Sequence, residues 1–288
     1  MQDGFNDSSP IGGSIFIIAE VGINHNGDLE LAKELMKIAK DSGCDAVKFQ
    51  KRTIDIVYTQ EFLEESRESP WGTTQREQKQ GLEFNESDYR EIDSYAKELD
   101  IIWFASAWDI PSQDFLNQFN IPINKIASAM ATNLEFVEHV AKEQKPTFVS
   151  TGMTTIEEIE QVVEIFKKHN SPITLMHTNS EYPSPEENLN LNCITTLNER
   201  FNLPVGYSGH EPSVSPSLIA ACLGATAIER HITKDRSSYG SDQAASLEEV
   251  GLKSLVDMVR KIPVVLGNGI KTITDQEKNI AKKLRYWL

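Results

Sequence analysis

Short apolar runs and longer amphipathic ones alternate eight times along this chain of 288 residues, and no other feature restricts its fold so much. The short runs are IFIIAE (15–20), DAVKFQ (45–50), IIWFAS (101–106), NKIAS (124–128), TFVST (147–151), ITLMHT (173–178), PVGYS (204–208) and TAIERH (226–231). Each is rich in Val, Ile or Phe, the pattern of strands buried on both faces. The longer runs have helical spacing. In 28–42, Leu31, Leu35, Ile38 and Ala39 share a face, with Asp28 as N-cap and Gly43 as stop. In 155–168, Ile156, Ile159, Val163 and Phe166 do the same. Acids lead that helix and lysines end it, as its dipole favours. Segments 85–99, 111–119, 133–143, 190–200, 213–223 and 247–260 complete the set. Eight strand–helix units in about 250 residues predict an α/β fold, a closed (β/α)8 TIM barrel. The rival is an open doubly wound sheet, which wants a glycine-rich turn after its first strand, and AEVGINHNGD is not GxGxxG.

The expected organisation is one domain over 1–288, with the barrel at about 14–262. Two parts depart from the regular alternation. Residues 51–84 form a long polar connection after the second strand, which a barrel would place on its catalytic face. Residues 263–288 form a C-terminal extension ending in a basic, helix-like stretch, QEKNIAKKLRYWL.

Charge narrows the partners. The net charge is −15, from 28 Lys and Arg against 43 Asp and Glu, and such a field repels nucleic acid and acidic membrane surfaces. It still admits a small anion, because a few lysines in a cleft reverse the local sign. No apolar run approaches the roughly 18 residues of a membrane span. The polar start, MQDGFNDSSPIGG, is not a signal peptide. Cys44, Cys193 and Cys222 share no metal or redox spacing, so reduced thiols in the cytoplasm are expected.

A barrel's active site lies where its strands end. Here the tips are Glu20; Lys48 and Gln50; Ser106; Lys125 and Ser128; Ser150 and Thr151; His177, Thr178 and Asn179; Ser208 and His210; and Glu229 and His231. Every tip is polar while the strand bodies are apolar. Lys48, Lys125, Ser128, Ser150 and Ser208 could hold a phosphate and a carboxylate together. An inward-facing lysine needs a counter-charge, which a bound anion would supply. His210 and His231 close neighbouring strands and could share a divalent metal, or could be hydrogen-bonded core histidines. Glu229 and Asp242 nearby could hold metal-bound waters. His25 reads as ordering its loop, His139 and His169 as surface residues. Cys44 and Trp103 read as core and Trp108 as a pocket wall.

At these residues the sequence resembles the sialic acid synthase family, which condenses phosphoenolpyruvate with an N-acyl sugar. The matching motifs are AEVGINHNGD (19–28), VKFQ (47–50), KIAS (125–128), STGM (150–153), GYSGH (206–210), IERH (228–231) and GSDQAAS (240–246). The resemblance implies that Lys48, Lys125, Ser128, Ser150 and Ser208 bind phosphoenolpyruvate. It implies that His210 and His231 hold manganese, with magnesium or cobalt as alternatives, and that Glu229 and Asp242 lie just outside the ligands. Gln50, Tyr182 and Asp242 match sugar-contacting positions. Glu20 matches the catalytic carboxylate, with Lys48 and Asp242 also counted as catalytic. The implied partners are phosphoenolpyruvate and an N-acetylmannosamine-type sugar. A homodimer stays open, because family members pair through their barrels.

Three departures stand out. The family motif GYSDH has Gly209 in place of its acid, and STPFD is replaced by SAWD (106–109). The chain stops about where a small antifreeze-like domain would begin, so the expectation is a short form. The 51–84 connection, with Arg67, Trp71 and Arg76, would then cover the sugar. The acceptor itself stays open among N-acetylmannosamine, a diacetamido sugar leading to a legionaminic- or pseudaminic-type acid, and an unacylated sugar leading to a deaminated acid. A non-catalytic homologue needing a partner domain is the remaining alternative.

Overall fold

The computed structural model describes residues 14–287. The elements run β1 (Phe16–Gly22), α1 (Leu29–Asp41), β2 (Ala46–Lys51), α2 (Ile54–Val57), α3 (Gln60–Glu64), β3 (Ser66–Ser69), β4 (Gly72–Thr74), α4 (Gln75–Leu82) and α5 (Glu86–Leu99). They continue with β5 (Ile102–Ala107), α6 (Ile110–Leu116), β6 (Asn124–Ile126), α7 (Leu134–Ala141), β7 (Thr147–Ser150), α8 (Ile156–Lys168), β8 (Ile173–Thr178) and α9 (Cys193–Phe201). The last are β9 (Val205–Gly209), α10 (Ser215–Cys222), β10 (Ala227–His231), α11 (Glu249–Leu266) and α12 (Asp275–Leu284). Eight parallel strands close a ring in the order β1, β10, β9, β8, β7, β6, β5, β2 and back to β1. This is the TIM barrel that the alternation predicts.

Local chemistry sets the element ends. Asp28 caps α1 by accepting the amides of Glu30 (2.9 Å) and Leu31 (3.2 Å), and Gly43, at φ +86°, takes the chain out of the helix. Thr155 and Glu158 form a reciprocal capping box on α8. Inside the ring, Phe148 on β7 packs against Phe16 on β1 (6.0 Å between centroids) and Phe104 on β5 (6.2 Å). Those strands are not neighbours in the ring, so the three rings cross the interior and plug the barrel below its polar tips. No helix among the described residues is long and apolar enough to cross a membrane.

The 51–84 connection is not an irregular loop. It folds into α2, α3, the antiparallel β3–β4 hairpin and α4, and this cap docks tightly on the barrel. One close approach pairs two glycines: a Cβ on Gly27 would lie 2.0 Å from the Gly81 carbonyl oxygen, and Gly27 also sits at φ +69°. The Trp71 ring fills the space over Gly81 and meets Tyr239 edge-on at 5.9 Å.

Candidate active site

Parallel register brings the strand tips to one level. Glu20 on β1 pairs with Lys48 on β2 and His231 on β10, Gln50 with Ser106, Ser106 with Lys125, and Ser208 with Glu229. Within each strand these residues alternate with ones that face the helices, such as Phe49, whose ring meets Tyr89 and Trp103. The tips enclose a cavity of about 160 Å³. Glu20, Lys48, Gln50, Ser106, Lys125, Ser128, Ser150, Thr178, Ser208, His210, Glu229 and His231 all line it, so most of the expected set converges. Trp108 walls it, as expected, together with Tyr182. His177 and Thr151 turn away: the His177 Nε2 hydrogen-bonds the Leu189 carbonyl (2.7 Å) and the Thr151 hydroxyl donates to the Met176 carbonyl (3.2 Å).

The two lysines face inward and already have counter-charges within the chain, beside any that a bound anion could add. Lys48 Nζ lies 3.0 Å from Glu20 and 3.4 Å from Glu229. Lys125 donates to Glu229 at 2.9 Å, and Ser208 donates to the other Glu229 oxygen at 3.1 Å. Gln50 donates to Glu20 at 3.0 Å. The Glu20 oxygen facing Lys48 has no well-aligned hydrogen bond and is fully buried. The two carboxylates therefore differ. Burial, only partly offset by Lys48, raises Glu20 to about 7. Burial acts on Glu229 too, but Lys125 and Lys48 outweigh it and hold Glu229 down at about 2. Lys48 is pulled down by burial and pushed up further by its two carboxylates, whereas burial wins at Lys125 and lowers it.

His210 and His231 face each other with ring centroids 5.4 Å apart. Burial lowers both to about 3, so both imidazoles are neutral and keep a lone pair. The His210 Nδ1 is 2.6 Å from the Asn179 carbonyl oxygen, which can only accept, so Nδ1 carries the proton and Nε2 the lone pair. The Tyr182 hydroxyl donates to that nitrogen at 2.8 Å. The His231 Nδ1 is buried without a hydrogen bond, 3.7 Å from Asp242. No group of three or more His, Cys, Asp or Glu among the described residues is arranged to enclose an ion. The donor set suits a divalent ion with two protein nitrogens and the remaining positions open.

Glycines and small residues shape the rim. A Cβ on Gly152 would lie 2.2 Å from Ser180 Oγ and 2.8 Å from Ser128 Oγ, and the Gly152 amide donates to Ser128 at 3.1 Å. In SAWD, Asp109 caps α6 through the Ser112 amide (2.8 Å) and accepts the Thr53 amide (2.7 Å) and hydroxyl (2.9 Å). It ties the start of the cap to the third barrel strand, while Trp108 stacks under Arg52 at 4.5 Å.

Gly209 has a structural account that the sequence does not show. A Cβ there would sit 2.6 Å from both Glu211 Oε2 and Tyr207 Cε1. The Glu211 carboxylate fills that space, accepts the Tyr207 hydroxyl (2.7 Å) and pairs with Arg230 (2.9 Å), all three residues buried. Arg230 also holds the Glu211 and Ser213 carbonyls. This network fixes the turn that presents His210. Its signal in the sequence is Arg230 itself. It alternates with inward Glu229 and His231, so it must face the helix layer and find a carboxylate there.

A family model described as the NeuB family matches residues 35–271. The chain belongs to the NeuB family. It is 39% identical over 272 residues to the N-acetylneuraminate-9-phosphate synthase of Homo sapiens, covering 93% of this chain and 76% of that protein. It is 37% identical over 290 residues to the N,N'-diacetyllegionaminic acid synthase of Legionella pneumophila, covering 97% and 82%. The crystal structure of N-acetylneuraminic acid synthetase from Leptospira borgpetersenii, in complex with citrate, superposes with a TM-score of 0.83 at 32% identity. That match covers 96% of this chain and 95% of the other.

Proposed function

We propose that the chain condenses phosphoenolpyruvate with the open-chain form of an N-acetylmannosamine-type sugar and water, giving a nine-carbon 2-keto-3-deoxy acid and phosphate. The observation that carries this reading is the single cavity in which two buried lysines, two unlike carboxylates and two neutral imidazoles meet. The relatives named as sugar-acid synthases and the citrate-bound neighbour support it. Three unpaired cysteines suit a cytoplasmic enzyme.

Lys48 and Lys125 take the carboxylate and phosphate charges, exchanging part of their contact with Glu20 and Glu229 for the substrate. Ser128, Ser150 and Ser208 add hydroxyl donors around it. Gln50, Tyr182 and Asp242 orient the sugar. His210 and His231 would hold a divalent ion, manganese foremost, whose contribution when bound is Lewis-acid polarisation of the sugar aldehyde. Carbon 3 of phosphoenolpyruvate then bonds to the aldehyde carbon, and positive character develops at carbon 2. Water adds there while Glu20, raised by burial, accepts its proton. The resulting tetrahedral centre loses phosphate by C–O cleavage and leaves the ketone.

The test is phosphate release from phosphoenolpyruvate across a panel of N-acetylmannosamine, diacetamido sugars and mannose, before and after EDTA. Release that EDTA abolishes and manganese restores is expected, together with a folded, inactive and metal-poor His210→Ala. Release from none of the acceptors would remove the reading. Release untouched by EDTA would remove the metal from it.

A further inference from the structure

Two of the three cap residues expected over the sugar are engaged elsewhere. Arg76 is held by Asp55 (2.6 Å) and Gln60 (2.8 Å), and Trp71 lies over Gly81. Behind the two histidines, by contrast, stands a buried charge pair that the reaction leaves unused. Glu211 and Arg230 are 0 % and 1 % exposed, and neither lines the cavity.

Their place in the sheet gives them a task. His231 ends β10 and is paired with Glu20 of β1, and just past it the Ile232 amide donates to the Glu20 carbonyl (2.9 Å). His210 has no such ladder beside it. The β9–β10 pairing ends with Gly209 opposite Arg230, so His210 stands one residue beyond the last paired position. Its ring is held from the segment after β8, by the Asn179 carbonyl (2.6 Å) and the Tyr182 hydroxyl (2.8 Å). Arg230 takes over where the ladder stops. Its guanidinium donates to the Glu211 carbonyl, the Ser213 carbonyl (2.9 Å) and the Ser217 hydroxyl (3.0 Å), and it pairs with the Glu211 carboxylate (2.9 Å). A side chain of β10 thus ties down the backbone immediately after His210. A buried guanidinium parts from its carboxylate only at a large desolvation cost, so the tie is rigid.

Gly209 completes the picture. A Cβ there would lie 2.6 Å and 2.9 Å from the two Glu211 carboxylate oxygens. The space beside Arg230 therefore holds one carboxylate, from 209 or from 211, and this chain supplies it from 211.

We propose that Arg230 and Glu211 are positioning residues for the two-histidine site. They extend the β9–β10 contact past the end of its ladder and fix the 5.4 Å spacing of the His210 and His231 rings, with Glu211 supplying its carboxylate from two positions after the acid of the GYSDH motif. The proposal rests on the metal reading above.

The test is the Kd for manganese, read from the electron paramagnetic resonance of the free ion without substrates, beside turnover at low and saturating manganese. Glu211→Ala is expected to raise Kd roughly tenfold or more, as loss of a residue that orients a metal ligand does. Turnover should fall at low manganese and recover at saturating manganese, with KM for phosphoenolpyruvate unmoved, which a general loosening of the barrel would not allow. Gly209→Asp added to Glu211→Ala should restore the affinity, because a carboxylate again faces Arg230. Gly209→Asp alone crowds two carboxylates into one space and should lower the melting temperature instead. Tyr207→Phe removes a donor to Glu211 with little change of shape, so a smaller rise in Kd is expected from it even where Glu211→Ala fails to fold. A Kd unmoved in every folded variant, or a loss in Glu211→Ala that Gly209→Asp leaves unrepaired, would overturn the positioning role and leave the metal reading standing. Absence of manganese binding in wild type would overturn both.

Discussion

His25 Nδ1 accepts the Gly27 amide at 3.0 Å, and the ring stacks on Phe84 with centroids 4.0 Å apart. A nitrogen that accepts an amide is unprotonated, so this imidazole is neutral, and burial lowers it to about 3. The depressed value has a consequence for stability. Below about pH 6.5 the unfolded chain binds a proton here that the folded chain refuses, so stability falls as the medium becomes more acidic. His25→Asn should remove that part of the slope, up to about 1.4 kcal/mol for each pH unit below 6.5. Urea midpoints of both proteins at pH 7 and pH 5 measure it, and equal losses on acidification would contradict it. The role of His25 in its loop was legible in INHNGD. The pairing of the two lysines was not. Glu229 on β10 reaches Lys125 on β6 across 104 residues of chain and the width of the barrel, a contact that exists only once the ring closes. From sequence, each lysine looks uncompensated and each carboxylate free.

At the level of elements, the barrel was readable because every strand is apolar on both faces and every core helix carries its stripe. Strand ends moved little. The fourth barrel strand stops at Ile126 because Ser128–Met130 turn into a short 3-10 helix. The cap was not readable. Its helices span four, five and eight residues, too short to show a period, and it meets the barrel through contacts no periodicity announces, such as Gly81 against Gly27. That dependence makes it breakable. Gly27→Ala sets a methyl against the Gly81 carbonyl at a backbone angle that alanine adopts poorly, an overpacking strain of roughly 1–3 kcal/mol. The strain is relieved by lifting α4. Faster protease cleavage within 52–84 is the expected result, with the melting of the barrel lowered far less than by a core deletion. Cleavage at the wild-type rate would mean that the cap does not depend on this contact.

Across the whole molecule, the acidic charge and the basic tail separate. Residues 268–288 hold five Lys and Arg against two Asp and Glu, so the rest of the chain is more acidic than the total of −15 implies. The tail does not lie on that acidic body. No residue of α12 is buried, and Ile273, Ile280, Leu284 and Trp287 are exposed. The packed part of α11 ends at Val259, with Ile262 only partly covered. An element that buries nothing adds no hydrophobic stabilisation, however helical its sequence. Truncation after Gly267 should therefore change stability by no more than about 0.5 kcal/mol, a melting shift of roughly 1–2 °C. Leu255→Ala in the same terminal region removes a fully buried side chain and should cost about 2–5 kcal/mol. Melting curves of the two variants beside wild type separate these cases. A tail deletion that approached the effect of Leu255→Ala would show that residues 268–288 pack in solution, against the barrel or against a second copy. The exposed isoleucines of the tail would then be interface rather than surface.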